Sequence, residues 1–219
     1  MRIVAGVAGG RRLTVPRGRD TRPTSERVRE ALFAALVSDR GGLAGDAVLD
    51  LFAGSGALGL EALSRGAATA VLVERDPTAA ATARANIDAL GLPGASVVAT
   101  AVARYLARAP VPAATAATAA RAAAPISATT TAAGRRGAPA DVVFADPPYA
   151  LPEPEVGAML AALAGGWLRA GASIVVERAV RSPAPSWPPG CEPGRVRTYG
   201  DTAIHPARWA GSDREEPPA

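Results

Sequence analysis

The sequence predicts a doubly wound α/β domain built on a mostly parallel sheet, and two observations support that fold class. From residue 47 onward, short apolar segments alternate with segments that have the three-to-four residue spacing of helices. Strands that are apolar on both faces are typical of parallel sheets covered by helices on both sides. A glycine-rich turn also follows the first of these strands, where such folds commonly bind a ligand.

The predicted elements of this domain follow one another in a regular order. The strands are expected at 48–51, 70–73, 96–99, 141–144 and 173–176, and the helices between them at 58–64, 78–90, 102–108 and 155–164. Most strand positions are Val, Leu, Ile, Phe or Ala, which suits a buried sheet. Gly91 directly follows the second of these helices and favours its termination, because glycine readily adopts left-handed backbone.

Residues 1–42 are predicted to form a small substrate-binding appendage ahead of the main domain at 43–210. Residues 2–16 suggest a hairpin of two short strands around Gly9-Gly10. A helix should follow, with Thr24 as its N-cap and its end before residue 41. Its apolar stripe comprises Val28, Leu32, Ala35 and Leu36.

Two segments lack the side chains that a packed core requires. Residues 110–140 consist largely of Ala, Thr and Pro, with Ile126 as their one large apolar side chain beyond Val111. Such a composition cannot bury enough surface to offset the entropy of ordering. We therefore expect a disordered insertion within the domain and a flexible tail at 211–219.

The overall composition excludes several classes of protein. No apolar run approaches the roughly 20 residues of a membrane span, and the first residues lack the pattern of a secretory signal, so we expect a cytoplasmic protein without membrane contact. Cys191 and His205 are the single residues of their types, which argues against a zinc site and predicts that no metal is bound.

The charge pattern indicates a polyanionic partner. The net charge is +4 at pH 7, and the isoelectric point is near 10.1. A surplus of cations favours nucleic acid through counterion release. Basic residues are concentrated in the first 40 positions, which suggests a phosphate-contacting segment, although a solvated helix face would give the same pattern. The residues are Arg2, Arg11, Arg12, Arg17, Arg19, Arg22, Arg27, Arg29 and Arg40.

A first candidate site lies between the first predicted strand and its helix. Gly54, Gly56 and Gly59 match the pattern G-x-G-x-x-G, which lets the backbone turn sharply beside a ligand. Glu74 ends the second strand, where a carboxylate can accept hydrogen bonds from ribose hydroxyls. A nicotinamide dinucleotide and S-adenosylmethionine both fit this pattern. Asp50 favours the second, because a carboxylate there would repel a pyrophosphate but attract the ammonium of a methionine moiety.

A second candidate site follows the fourth predicted strand, in the segment Asp146-Pro147-Pro148-Tyr149. The two prolines stiffen the loop and hold the Asp146 carboxylate and the Pro147 carbonyl in a fixed relation. These two acceptors could hold both hydrogens of an exocyclic base amine and direct its lone pair at an incoming methyl group. Tyr149 could stack against an extruded base. The predicted catalytic residues are Asp146, Pro147, Pro148 and Tyr149.

At these residues the chain resembles the amino-methyltransferases of nucleic acids, and most of all the bacterial 16S rRNA guanine-N2 methyltransferases. The resemblance covers roughly residues 2–109 and 140–202. It rests on Gly6 to Leu13, Arg22 to Phe33, Asp50 to Gly66, Asp146 to Tyr149 and Tyr199 to Thr202. The stretch from Arg22 to Phe33 separates this family from others that share the two general motifs.

The resemblance implies a Rossmann-like methyltransferase that uses S-adenosylmethionine on a specific guanine of 16S rRNA. It further implies an assembled or assembling small ribosomal subunit as the substrate, and we expect a monomer. The implied cofactor-binding residues are Asp50, Phe52, Ala53, Gly54, Ser55, Gly56, Glu74, Arg75 and Ala101. The implied nucleic-acid-binding residues are Arg11, Arg12, Arg22, Thr24 and Arg27.

The chain departs from the family pattern at three places. Ala101 stands where such enzymes often carry Asp or Asn to contact the adenine amine. The insertion at 110–140 has no expected counterpart. Beyond Thr202 the usual apolar strand is replaced by a sequence containing His205 and Pro206, so we expect a shortened last strand and an exposed histidine.

Three other functions fit part of this pattern. An adenine-N6 methyltransferase of DNA or RNA would grip an exocyclic amine in the same way, so the Asp146 motif does not choose between the bases. A non-catalytic RNA-binding assembly factor could retain the fold, but it would not need Glu74 and Asp146. A nicotinamide dehydrogenase is disfavoured by Asp50 and by the lack of a suitable acid for hydride transfer.

Overall fold

The computed structural model describes residues 1–16, 26–108, 110 and 138–211. Thr24, Arg22, almost all of the predicted insertion at 110–140 and the tail beyond residue 211 lie outside the described residues. Within the described part, no helix is long and apolar enough to cross a membrane.

The predicted helix of the N-terminal segment and the predicted helices and strands of the main domain are present, and most of them extend by one or a few residues beyond their predicted bounds. The helices are α1 (Glu26–Arg40), α2 (Ala57–Ser64), α3 (Pro77–Leu90), α4 (Val102–Leu106) and α5 (Glu153–Ala164). The strands are β1 (Ala47–Leu51), β2 (Thr69–Glu74), β3 (Ala95–Ala99), β4 (Ala140–Ala145), β5 (Leu168–Ala179), β6 (Cys191–Pro193), β7 (Arg197–Tyr199) and β8 (Thr202–Trp209). Gly91 ends α3 with φ +64°, as predicted.

The strands form one mixed sheet in the order β3-β2-β1-β4-β5-β8-β6, with β7 also paired to β8. The pairs among β1 to β5 are all parallel, and β8 runs antiparallel to β5. The predicted doubly wound, mostly parallel sheet is thereby confirmed. The strand order reverses between β1 and β4, so their carboxyl ends border the crevice in which such folds bind ligands.

Each face of the sheet packs against its own set of helices. Phe33 of α1, Leu60 of α2 and Phe144 of β4 belong to one buried cluster, and the rings of Phe33 and Phe144 lie 5.4 Å apart. Trp167 and Tyr105 belong to the cluster on the other face, with ring centroids 4.7 Å apart. The sheet is therefore covered on both sides, as its apolar strands predict.

The expected shortening of the last strand is wrong. Strand β8 has eight residues and pairs with β5 over seven positions from Ser173 to Ala179. Its sequence has weak strand propensity, but pairing on both edges and the burial of Ile204 and Trp209 stabilise it.

His205 of β8 was expected to be exposed but is buried. Burial and, after it, the charge of Arg178 lower the pKa of its imidazole.

The N-terminal segment is a folded arm with one β-bridge, between Arg2 and Arg12, rather than a hairpin of two strands. Gly6 lies in its middle with φ +83°, and a Cβ there would come within 1.8 Å of the Ser64 carbonyl oxygen. Ser64 Oγ also accepts a hydrogen bond from the Ala8 amide at 2.9 Å. The arm departs from ladder geometry because it packs against α2, a contact that residues 2–16 alone could not reveal.

Candidate active site

The glycine turn between β1 and α2 contains glycines with two different roles. A Cβ on Gly56 or Gly59 would come within 2.8 Å or 2.3 Å of the Leu72 side chain, so these glycines allow α2 to approach β2. Gly54 has φ +55° and open space where a Cβ would point. Gly54 is therefore the position at which a ligand can approach the backbone closely.

Glu74 fixes the turn from the end of β2. Its two carboxylate oxygens accept hydrogen bonds from the Gly54 amide at 2.9 Å and the Asp76 amide at 2.7 Å. A carboxylate offers about four acceptor positions, so Glu74 has capacity left for ribose hydroxyls. The buried acid thus shapes the turn directly beside the carboxyl end of β1.

Asp50 lies beneath the same turn and is 1% exposed. Its Oδ2 accepts a hydrogen bond from the Gly59 amide at 2.9 Å, at the start of α2. Burial raises the pKa of Asp50 to about 7, and the Glu74 charge adds to that rise while the Gly59 hydrogen bond opposes it. Asp50 is therefore partly protonated near neutral pH, a property that sequence could not supply.

The other predicted cofactor residues follow the carboxyl ends of the first three strands. Phe52, Ala53 and Ser55 lie in the turn after β1, and Phe52 has the unusual φ of +61° for a residue other than glycine. Arg75 follows β2 and is exposed, whereas Ala101 is the N-cap of α4 without a side-chain hydrogen bond. Ala101 therefore offers no polar side chain toward an adenine.

Asn86 of α3 is a supporting residue that sequence reasoning missed. Its Nδ2 donates to the Ser55 carbonyl at 2.9 Å and to the Thr14 carbonyl at 2.9 Å, and its Oδ1 accepts from the Thr14 amide at 2.8 Å. The side chain joins the glycine turn to the N-terminal arm. The available signal was an Asn at a position that continues the apolar stripe of Ala79, Ala83 and Leu90 in the predicted helix.

The second predicted site lies at the end of β4, across the switch point from the glycine turn. The Asp146 amide approaches the Leu51 carbonyl at 3.4 Å, so this loop starts directly beside the end of β1. Asp146 is half-buried and Pro147 is buried, whereas Pro148 is exposed and Tyr149 is 39% exposed. The two predicted sites therefore border one crevice.

Glu177 of β5 is an acidic neighbour of Asp146 that the sequence prediction did not include. The parallel register pairs Ala145 with Val176, which places Asp146 beside Glu177 in the next position. Burial, then the charges of Glu177 and Asp50, raise the pKa of Asp146 well above its ordinary value. The available signal was an acid directly after the apolar run 174–176 of a predicted strand.

A chain of hydroxyl contacts connects the Asp146 loop with the segment from Tyr199 to Thr202. The hydroxyls of Tyr149 and Thr202 lie 3.5 Å apart. Thr202 Oγ1 also lies 3.5 Å from Glu177 Oε1, to which it donates. Thr202, the first residue of β8, thus contacts the site. The segments Asp146 to Tyr149 and Tyr199 to Thr202 are distant in sequence but adjacent in the structure.

The predicted basic cluster is divided by the fold. Arg12 and Arg27 are exposed, which suits contact with phosphates. The Arg11 guanidinium instead donates to the Leu90 carbonyl at 2.6 Å and to the Ala89 carbonyl at the end of α3. Arg29, counted in the cluster from sequence, is fully buried beside Glu61, so the inference that it serves a phosphate-contacting surface is wrong.

Among the described residues, no group of three or more His, Cys, Asp or Glu side chains is arranged to hold a metal ion. The acids beside the crevice, Asp50, Asp146 and Glu177, offer carboxyl oxygens as hydrogen-bond acceptors to a substrate or cofactor.

The family of the chain follows from its similarity to known proteins. A family model described as Conserved hypothetical protein 95 matches residues 1–119 and 114–207. Ribosomal RNA small subunit methyltransferase D of Escherichia coli strain K12 is 34% identical over 208 residues, which cover 93% of this chain and 87% of that protein. The chain belongs to this family of methyltransferases. The predicted resemblance and the predicted enzyme class, methyltransferase, are confirmed at this level.

Two solved structures are similar to this chain over nearly its whole length. The protein yhhF from Escherichia coli, named as a methyltransferase, has a TM-score of 0.74 at 32% identity and covers 97% of this chain and 99% of its own. Protein TTHA0928 of Thermus thermophilus has a TM-score of 0.65 at 33% identity, with coverage of 94% and 98%. Near-complete coverage of both chains shows that the family fold extends over the sheet and the N-terminal arm.

Proposed function

We propose that this protein methylates the exocyclic N2 amine of a guanine in 16S rRNA of the small ribosomal subunit, with S-adenosylmethionine as the methyl donor. One observation carries the proposal: the Asp146 loop and the glycine turn lie side by side at the carboxyl ends of β4 and β1. A methyl donor and an exocyclic amine can therefore meet in one crevice. The membership in a methyltransferase family supports the same chemistry.

The residues after the first three strands fit this cofactor. Gly54 gives the open approach, Glu74 has capacity for the ribose hydroxyls, and Asp50 would hold the methionine ammonium. S-adenosylmethionine supplies the reactive carbon when it is bound. The further residues that we assign to its binding are Phe52, Ala53, Ser55, Gly56, Arg75 and Ala101.

Asp146 and the Pro147 carbonyl act on the substrate amine. Both are acceptors held by a stiff loop, and each takes one N–H of the amine, so that the nitrogen lone pair points at the methyl carbon. Transfer of the methyl group to the amine would leave a surplus proton on the nitrogen. The raised pKa of Asp146 makes its carboxylate a better acceptor for that proton than an ordinary one. The exposed ring of Tyr149 offers a surface for the extruded base.

Arg12 and Arg27 are proposed to contact RNA phosphates from the N-terminal arm and α1, together with Arg22 and Thr24, which precede α1 in the chain. Arg11 instead supports this surface indirectly, because its guanidinium binds the end of α3 and so holds the N-terminal arm in place. Phosphate contacts of this kind position the substrate and make its binding salt-dependent.

We predict that the affinity for S-adenosylmethionine depends on pH through Asp50. Its pKa of about 7 must fall when an ammonium is placed beside it, so binding releases a proton below pH 7. Affinity should fall by up to about tenfold for each pH unit below 7 and level off above it. Calorimetry between about pH 5.5 and 7.5 in buffers of different ionisation enthalpy measures both the affinity and the number of protons released on binding. The Asp50→Asn variant should bind S-adenosylmethionine weakly, and its affinity should not depend on pH in this range. If the affinity of this variant still falls with pH as in the wild type, Asp50 is not the group whose ionisation is coupled to binding.

We also predict that Glu74→Ala weakens S-adenosylmethionine binding by about tenfold or more, because a charged acceptor is lost at the ribose and the Gly54 amide loses its partner. Calorimetry measures the change, and Asp88→Ala on the exposed face of α3 is the matched control. Cofactor affinity equal to that of the control would show that Glu74 serves the fold alone.

The decisive test of the proposed function is methylation of undermethylated small subunits with radiolabelled S-adenosylmethionine, followed by nucleoside analysis. N2-methylguanosine is the expected product. N6-methyladenosine would instead establish an adenine methyltransferase, and the absence of any labelled nucleoside on subunits or free RNA would favour a non-catalytic assembly role.

A further inference from the structure

The acid Glu177 lies beside the reacting region but takes no part in gripping the substrate amine. It is buried, on the strand next to Asp146, in a position that the parallel register of β4 and β5 determines. Thr202 donates toward its Oε1, which orients the carboxylate from the β8 side. Two carboxylates thus stand next to each other at the carboxyl ends of adjacent strands.

A pair of neighbouring carboxylates matches guanine in a way that it does not match adenine. The pairing edge of guanine presents the N2 amine next to the N1–H, so that donors stand side by side. The corresponding edge of adenine presents the N6 amine next to N1, which is an acceptor and would face a carboxylate with its lone pair. Two adjacent acceptors therefore accept from guanine and repel adenine.

We propose that Glu177 selects guanine by accepting a hydrogen bond from its N1–H while Asp146 holds the N2 amine. This proposal rests on the proposed function, since it names how that site chooses its base. The Glu177 carboxylate lies close enough to Asp146 to raise the pKa of Asp146, and a substrate edge with a donor for each acid would offset that repulsion. Thr202 acts as a positioning residue, because its hydroxyl contacts both Glu177 and Tyr149.

The experiment compares a substrate whose base carries a hydrogen on N1 with a substrate whose base does not. The acceptor guanine is first mapped with the wild-type protein, and small subunits are then reconstituted with guanine or 2-aminopurine at that position. 2-Aminopurine keeps the N2 amine but lacks both the N1–H and the O6 carbonyl, so the Glu177 variants are compared on the two bases to isolate the effect at N1. The wild type should methylate guanine about tenfold or more faster than 2-aminopurine. Glu177→Gln should lose about tenfold or more on guanine, because the carboxylate that accepts from the N1–H is replaced by a neutral amide. On 2-aminopurine the variant should show no loss and should gain activity, because the N1 lone pair of that base no longer faces a carboxylate.

A purely structural role for Glu177 predicts a different result, since a distorted site would lower both rates by the same factor. Equal losses on the two substrates, or no loss on guanine, would overturn the proposal. The failure of the proposed function itself is distinguishable, because the wild type would then form no N2-methylated product at all. Calorimetry with S-adenosylmethionine and thermal unfolding confirm that the variant is folded.

A second variant keeps the test available if Glu177→Gln does not fold. Thr202→Val removes the hydroxyl that orients Glu177 but leaves the carboxylate and its charge in place. The preference for guanine over 2-aminopurine should fall severalfold in this variant. An unchanged preference would contradict the positioning role of Thr202 and, with it, the orientation on which base selection depends.

Discussion

Asp146→Ala is expected to lower the single-turnover rate of methylation roughly 100-fold or more. The change removes one of the two acceptors that we propose at the reacting nitrogen, an interaction that should strengthen as positive charge develops there. Binding of the small subunit should persist, because the phosphate contacts that we propose for the exposed residues Arg12 and Arg27 would not involve this loop. Cofactor affinity should also change little, since Glu74 and Asp50 belong to other strands.

The measurement pairs single-turnover methylation with a filter-binding titration on the same variant. Glu155→Gln, on the exposed surface of α5, is a matched control that removes an acid nearby in the chain without touching the crevice. Near-normal methylation by Asp146→Ala would refute its catalytic role. A parallel collapse of subunit binding would mean instead that Asp146 maintains the loop and contributes no chemistry of its own.

The alternation of strands and helices could be predicted because it depends on local apolar periodicity. Each of the first five strands is apolar enough to require burial on both faces, and a parallel sheet follows from that requirement. Strand β8 could not be predicted in the same way. Its residues have weak strand propensity, and the strand forms because β5 and two short strands supply pairing partners on both sides.

The candidate site could be predicted where its residues are adjacent in sequence, as in the glycine turn and the Asp146 loop. The rest depends on contacts between distant segments. Glu177 lies 31 residues beyond Asp146, and only the register of β4 and β5 shows that they are neighbours. Arg29 looked like one more surface cation, because composition cannot show that a buried acid on α2 faces it.

That acid, Glu61, leads to the largest expected effect on stability. It is fully buried in α2, and its carboxylate accepts from the amides of Val4 at 2.7 Å and Ala5 at 3.0 Å. It also pairs with Arg65 at 2.7 Å and with Arg29 at 3.6 Å. Burial lowers the pKa of Arg29, and the Glu61 charge is the main opposing influence. One side chain therefore binds two amides of the N-terminal arm and also offsets the charge of a buried cation of α1.

Glu61→Ala is expected to lower the free energy of unfolding by about 3–5 kcal/mol, because it leaves the Arg29 guanidinium buried without its counter-charge. Denaturant unfolding monitored by circular dichroism measures the loss. Glu30→Ala, on the exposed side of α1, is the control and should stay within about 0.5 kcal/mol of the wild type.

The double variant Glu61→Ala with Arg29→Met separates the two contributions of Glu61. Removing the cation as well should recover part of the loss, since no uncompensated charge stays buried. The unrecovered part reflects the amides of Val4 and Ala5, which anchor the arm to α2 beside the glycine turn. A loss below about 1 kcal/mol in the single variant, or no recovery in the double variant, would contradict this account of how the arm and α1 are held against the catalytic domain.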